Sequence, residues 1–250
     1  MGRWGREGER KQGEQGKQRK QGKQGAAFST QHFTLHTPHF LNSTLNTAGM
    51  NYLAHLFLSE PTPESLIGNL LGDFVKGSVK HLYTQEVRKG IELHRKVDIY
   101  TDSHDVVRSS KSFINPDRRR FAGIIIDIFY DHFLAKNWHE YSNVSLPEFT
   151  NSVYRVLEAN REILPDSLQR ILSRLIVEDW LTSYREISGI DRTLKRMSAR
   201  IKRENNLDEA IEDLQANYQQ FESDFCAFFP DLIDYVKSTI VGAGETAQSC

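Results

Sequence analysis

From Met50 onward, apolar residues recur at three- and four-residue steps in one segment after another. That period belongs to helices with one buried face, and it does not fit the alternation of a half-buried strand. Thr62-Pro63-Glu64 is a helix start: a hydroxyl N-cap, proline at the first helical position and an acid in the first turn. The helix it opens carries Leu66, Ile67, Leu70, Leu71, Phe74 and Val75 before Gly77 stops it. Further helices are predicted over about 84–101, 117–137, 147–163, 168–180 and 190–203. A seventh begins at Leu207 and repeats Ile211, Leu214, Tyr218, Phe221, Phe225 and Phe228. Pro230 is expected to kink or end it before a short helix through Leu232, Ile233 and Val236. Gly123-Ile124-Ile125-Ile126 is rich in β-branching, but the segment that holds it is longer than ordinary strands. The expected fold is all-α, a single compact multi-helix domain over 50–240, with 241–250 a flexible tail.

The first 49 residues differ in kind. Residues 1–25 form a Gly/Gln/Lys/Arg tract that holds eight of the 32 basic residues and three of the 33 acidic ones. With almost no aliphatic side chains it buries too little surface to offset its ordering entropy, and it is expected to be disordered. Residues 26–49 carry no charge and no helical period. One hypothesis is that Met50 is the native start and that 1–49 is upstream sequence. N-terminal sequencing of the natural protein tests it, and a terminus at residue 1 or 2 would end it.

Without the tail the body is mildly acidic, so neither nucleic acid nor a membrane surface is an expected partner, and the tail is read as solvated. Two cysteines, Cys226 and Cys250, supply neither a disulfide framework nor a four-thiolate zinc site. A reducing, cytoplasmic location is expected. No run approaches 18 uninterrupted apolar residues, and the N-terminus lacks the apolar core of a secretory signal.

The informative feature is a set of ionisable residues at four-residue spacing inside apolar helices. Asp127 and Asp131 lie one turn apart in the oiliest segment, with His132 beside Asp131. His94, Asp98 and Asp102 form a second ladder, and Asn69 with Asp73 a third. His55 interrupts the apolar run Tyr52–Leu58. A buried carboxylate without a partner costs several kcal/mol, so something cationic should meet these groups, either Arg/Lys or a metal ion. Each residue alone has an ordinary structural explanation: a hydrogen-bonded core histidine, a helix cap, a surface ion pair of Asp98 with Arg95. The conjunction favours one shared metal-centred site. Mixed imidazole and carboxylate donors without thiolate suit Mn²⁺, Mg²⁺, Fe²⁺ or catalytic Zn²⁺. Walker, dinucleotide-binding and serine-hydrolase motifs are all missing from the sequence.

Several blocks resemble the acyl carrier protein phosphodiesterases: Met50-Asn51-Tyr52-Leu53-Ala54-His55-Leu56-Phe57-Leu58-Ser59, Gly68–Gly77, Gly90–Asp98, Thr101-Asp102 and Asp127–Leu134. The resemblance covers roughly 50–240. It implies a helical domain related to the HD-type metal-dependent phosphohydrolases, and hydrolysis of the diester joining 4′-phosphopantetheine to a serine of acyl carrier protein, with manganese as the usual metal. Carried onto this chain, it makes Asp73, His94, Asp98, Asp131 and His132 the metal-site candidates, supported by His55, Asn69, Asp102 and Asp127. The adjacent pair here reads Asp131-His132, where general HD proteins have His before Asp, which leaves open which of the two binds metal. His55 or His132 is the expected proton donor to the leaving serine, and Asp73 is counted with them as catalytic. An acidic carrier needs a basic landing surface, for which Lys76, Arg95, Arg118, Arg119 and Arg120 are the candidates, with Lys80, Arg88, Lys89 and Lys96 nearby in sequence. Competing readings are a phosphohydrolase acting on a nucleotide or small phosphate ester, and a non-catalytic helical binding protein.

Overall fold

The computed structural model describes residues 52–79, 81–202 and 205–247. The tract 1–49, Lys80 and Cys250 therefore lie outside the described residues. Twelve α-helices are described: α1 (Tyr52–Phe57), α2 (Pro63–Leu71), α3 (Gln85–Ser103), α4 (Asp105–Ser112), α5 (Ala122–Lys136), α6 (Trp138–Tyr141), α7 (Leu146–Ala159), α8 (Asp166–Val177), α9 (Trp180–Ser183), α10 (Ile187–Ser198), α11 (Ala210–Ala216) and α12 (Tyr218–Ala247). Short 3₁₀ turns occupy Pro116–Phe121, Arg161–Ile163 and Leu207–Glu209. Among the described residues there is no strand, and the all-α expectation holds.

Local signals place the helix starts. The Thr62 hydroxyl accepts from the Ser65 amide at 3.2 Å, with Pro63 at the first position. Ser145 and Glu148 close a reciprocal capping box at the head of α7. α5 is apolar nearly all round, burying Ile125, Ile126, Ile128, Phe129, Phe133 and Leu134, so it runs through the core with α1, α4, α10 and α12 packed on it.

Several helices are shorter than the apolar period implies. The 117–137 segment opens as a 3₁₀ turn and becomes α-helical only at Ala122. The 147–163 and 190–203 helices end at Ala159 and Ser198, and the helix opened by Pro63 ends at Leu71. The 168–180 helix stops at Val177, because Asp179 adopts a left-handed backbone (φ 44°) that caps α9 instead. The helix expected from Leu207 is broken at Asn217, which separates α11 from α12.

Pro230 neither ends nor replaces the last helix. It lies inside α12, which continues to Ala247, so the tail expected from residue 241 is helical that far. The proline ring faces outward, while Phe228, Phe229, Leu232 and Val236 stay buried on the inner side, so packing holds both halves in line despite one lost backbone hydrogen bond. α4 had no counterpart in the apolar pattern, being short and polar outside Val106 and Val107.

Candidate metal centre

The centre is built where α2 and α3 come unusually close. Gly68 and Gly90 face each other: a Cβ on Gly68 would lie 2.3 Å from the Val87 carbonyl oxygen and 2.8 Å from Gly90 Cα. Only two glycines permit this approach. One turn further on, a Cβ on Gly72 would lie 2.1 Å from the His94 ring, so that ring occupies the space a side chain would take. The result carries Asn69 and Asp73 up to His94.

Four donors converge there. His94 Nε2 lies 3.2 Å from Asp98 Oδ2 and 3.6 Å from Asp73 Oδ1. His55, brought by α1, places its Nε2 3.3 Å from Asp98 Oδ1 and stacks on His94 with ring centroids 3.9 Å apart. Donor atoms of His55, His94 and Asp98 all lie within 4.8 Å of one another. One ion with bonds of about 2.0–2.2 Å can bridge such a span. Both imidazoles are buried, whereas the Asp98 side chain is 49% exposed, so the cluster opens to solvent on the Asp98 side.

The residues present fit a metal ion. Two imidazoles and two carboxylates with no thiolate form a donor set for borderline and hard divalent cations. The surroundings are also short of hydrogen bonds. Tyr52 OH, His55 Nδ1 and Asn69 Oδ1 are buried polar atoms without a hydrogen bond, and all belong to this corner of α1–α3. Such a concentration is unusual for a purely structural polar cluster, in which nearly every buried polar atom is paired.

Charge is distributed unevenly over the two rings. Burial, reinforced by the neighbouring His94, lowers the His55 pKa to about 4. Burial also opposes charge on His94, but its hydrogen bond to Asp98 and the charges of Asp73 and Asp98 raise its pKa overall. Burial works against ionised Asp98 too, yet its bonds to His55 and His94 hold its carboxyl well below the usual range.

The cluster forms one end of a cavity of about 270 Å³ lined by His55, Asp73, Asp98, Asp102 and Asp127, with Phe225, Phe228, Phe229 and Leu232 of α12 opposite. Asp127 is pushed well above the carboxylate range, first by burial and then by the Asp98 charge. Asp102 is held by Lys111 at 2.7 Å. Lys111 sits on α4, which carries no apolar ladder, so no local signal linked it to the site.

Two expected ligands are not brought to the cluster. Both oxygens of Asp131 accept backbone hydrogen bonds, from the Leu53 amide at 2.9 Å and the Ala54 amide at 2.8 Å, so this carboxylate ties α5 to the start of α1. Burial raises its pKa to about 7 against the pull of those two amides. His132 has both ring nitrogens engaged, Nδ1 with the Tyr184 carbonyl and Nε2 with the Tyr218 hydroxyl, each at 2.8 Å. The four-residue ladder is the same as on α3, but these partners lie 52 to 86 residues away and leave no local mark.

The expected basic surface also divides. Arg118 is buried, pairing with Asp213 at 2.7 Å and Glu209 at 3.1 Å, so it is a core ion pair and not a landing site. Arg95 donates to the carbonyls of Val75 and Gly77 at 3.1 and 3.0 Å and fastens the loop after Asp73. Lys76, Lys96, Arg119 and Arg120 remain at the surface, with Arg119 donating to the Ser112 carbonyl and Arg120 lying over the Phe121 ring. Among the described residues no helix is long and apolar enough to cross a membrane.

Comparison with known proteins places the chain in a family. A family model described as acyl carrier protein phosphodiesterase matches residues 50–232. A relative named acyl carrier protein phosphodiesterase, from Enterobacter sp. (strain 638), is 38% identical over 193 residues, covering 76% of this chain and 98% of its own. Proteins of the same name from Serratia proteamaculans and Escherichia coli O6:H1 are 36% and 37% identical, covering 75% and 74% of this chain and 98% and 96% of theirs. No solved structure matches the chain. Nearly the whole length of these relatives aligns with the helical body that carries the centre, and the chain belongs to the acyl carrier protein phosphodiesterase family.

Proposed function

We propose that this chain is a divalent-metal-dependent phosphodiesterase that hydrolyses the diester between 4′-phosphopantetheine and a serine of acyl carrier protein. The products are apo-carrier and 4′-phosphopantetheine. The observation that carries the reading is the convergence of His55, His94, Asp98 and Asp73 at one end of a cavity, in a member of this family. Manganese is the first choice of metal, with magnesium, iron(II) and zinc as alternatives of the same donor class. A divalent ion held there would neutralise phosphoryl oxygens and lower the pKa of the attacking water.

The residues have separable tasks. His55, neutral because of its lowered pKa, keeps a lone pair for a ligand role and is not the imidazolium that protonating the leaving group would need. Asp98 faces both imidazoles and would be shared between ion and rings. Asp127 lines the same cavity as His55, Asp73 and Asp98, and burial followed by the Asp98 charge raises its pKa, which makes it the carboxyl best placed to protonate the serine Oγ as the P–O bond breaks. The oxygen of the attacking water ends on phosphorus with one of its protons, the Asp127 proton goes to the serine Oγ, and the second water proton restores Asp127. His132, the other donor expected from the resemblance, has both nitrogens engaged elsewhere. Of the expected basic set, Lys76, Lys96, Arg119 and Arg120 are exposed and form the surface proposed to meet an acidic carrier. The two-cysteine composition supports the cytoplasm as the place of action.

The test is the mass of a holo-carrier protein after incubation with the full chain and Mn²⁺. Loss of the prosthetic group is expected. An unchanged mass in the presence of folded, manganese-loaded protein would overturn the reading.

A further inference from the structure

The cavity beside the centre has a lopsided chemistry. Its lining combines the acids and His55 with Phe225, Phe228, Phe229 and Leu232 of α12 and Tyr130 of α5, the last five nearly fully buried behind it. No lysine or arginine stands among the described residues that line it. Lys111, whose ammonium approaches the rim near Gly123, is held by Asp102. An ion at the centre can meet the single negative charge of a phosphodiester, but nothing in the lining is placed to meet a second anionic group. Burying such a group unpaired is costly.

The two halves of the diester named above differ in the features this cavity discriminates. On one side the ester oxygen belongs to a serine in a folded, acidic protein, which is far too large for a space of about 270 Å³. On the other side is a slender chain, uncharged beyond its phosphate, with branched methyl groups, two amides and a terminal thiol. We propose that the cavity takes this pantetheine arm while the carrier stays at the mouth. The inference rests on the phosphopantetheine reading. It adds that substrate selection lies in the neutral arm, and that a nucleoside polyphosphate, carrying further negative charge inward, is excluded by the same lining.

The test is competition by pantetheine lacking its phosphate, which cannot act through the metal's affinity for phosphoryl oxygen. With the full chain, Mn²⁺ and holo-carrier, pantetheine is expected to raise the apparent KM for arm release and leave kcat unchanged. Gly123→Leu narrows the cavity at a position where a new Cβ would meet nothing closer than the Lys111 side chain at 3.9 Å. It is expected to weaken pantetheine inhibition roughly tenfold or more, with Mn²⁺ affinity by calorimetry and the circular dichroism spectrum unchanged. Ile124→Trp, at a half-buried lining residue, provides a second variant with the same expectation. Arm release that ignores pantetheine, or inhibition that is equal in wild type and in both folded variants, overturns the arm assignment and leaves the phosphodiesterase reading standing. Failure of the wild type to release the arm at all overturns both.

Discussion

α3 and α5 carry the same kind of sequence, acids and an imidazole set one turn apart in an apolar helix, yet the two helices use them in opposite ways. On α3, His94 and Asp98 face one another, His55 and Asp73, and the surrounding corner keeps several buried polar atoms without hydrogen bonds. On α5, each Asp131 oxygen accepts from a backbone amide, and both His132 nitrogens are engaged by a carbonyl and a tyrosine hydroxyl. A buried polar residue marks a reactive site when its neighbours leave coordinating capacity over. Where every donor and acceptor is matched, the same residue fixes the fold.

The contrast is most easily broken by substitution on α3. His94→Ala or Asp98→Ala should abolish stoichiometric Mn²⁺ binding and lower kcat/KM by roughly a thousandfold, about 4 kcal/mol of barrier. Metal analysis beside steady-state kinetics reads both. A variant that keeps its metal and its rate would place the chemistry elsewhere.

On α5 the expected loss is one of stability. Asp131→Ala leaves the Leu53 and Ala54 amides buried without acceptors, at about 1–3 kcal/mol each. Urea unfolding should show this, whereas the folded fraction should bind Mn²⁺ in wild-type ratio. Asp131→Asn, which keeps one acceptor oxygen, should fall between. Loss of metal from folded Asp131→Asn would return this carboxylate to the ligand set.

Gly72→Ala sharpens the comparison without touching a donor. The new methyl would meet the His94 ring, and displacement of that ring should weaken Mn²⁺ binding by roughly 10–100-fold, as loss of orienting partners does in other metal sites. Unaltered affinity would mean that the α2–α3 approach does not set the ligand geometry.

The smallest expected effect is in pH dependence. The His55 pKa is near 4 in the folded chain against an ordinary 6.5, so between those values the unfolded chain binds a proton that the folded one refuses. This group therefore lowers stability as pH falls through 6.5 toward 4. His94, whose pKa is raised, acts in the opposite sense above 6.5, and Asp131 acts in the opposite sense up to about 7. The readable quantity is thus a difference: metal-free wild type should lose more stability between pH 6.5 and 4 than His55→Gln does. Parallel curves would show that His55 is not buried as a neutral ring.

Much of this was legible in the sequence. Thr62-Pro63, the four-residue apolar steps and the Asn69/Asp73 and His94/Asp98 ladders specify helices and most of the cluster from local information alone. The glycine pairs were visible as letters, but the approach of Gly68 to Gly90 is a property of two helices together. Asp131 and His132 meet groups distant in sequence, the Leu53 and Ala54 amides, the Tyr184 carbonyl and the Tyr218 hydroxyl, which no spacing rule encodes. Arg118 likewise meets Asp213, which lies 95 residues on. The α12 phenylalanines were read as core, which they are, but their second role as a cavity wall depends on what stands opposite.

Arg95 connects this architecture to conditions in solution. Its guanidinium is bonded to two uncharged carbonyls in the loop that follows Asp73, one of them on Gly77, whose φ of 77° suits the turn to glycine. Added electrolyte screens attraction between separated ions far more than it weakens a short bond of this type. The strap on Asp73 should therefore hold at ionic strengths that loosen the encounter with an acidic carrier, so that salt slows the arrival of substrate and leaves the geometry around the ion intact.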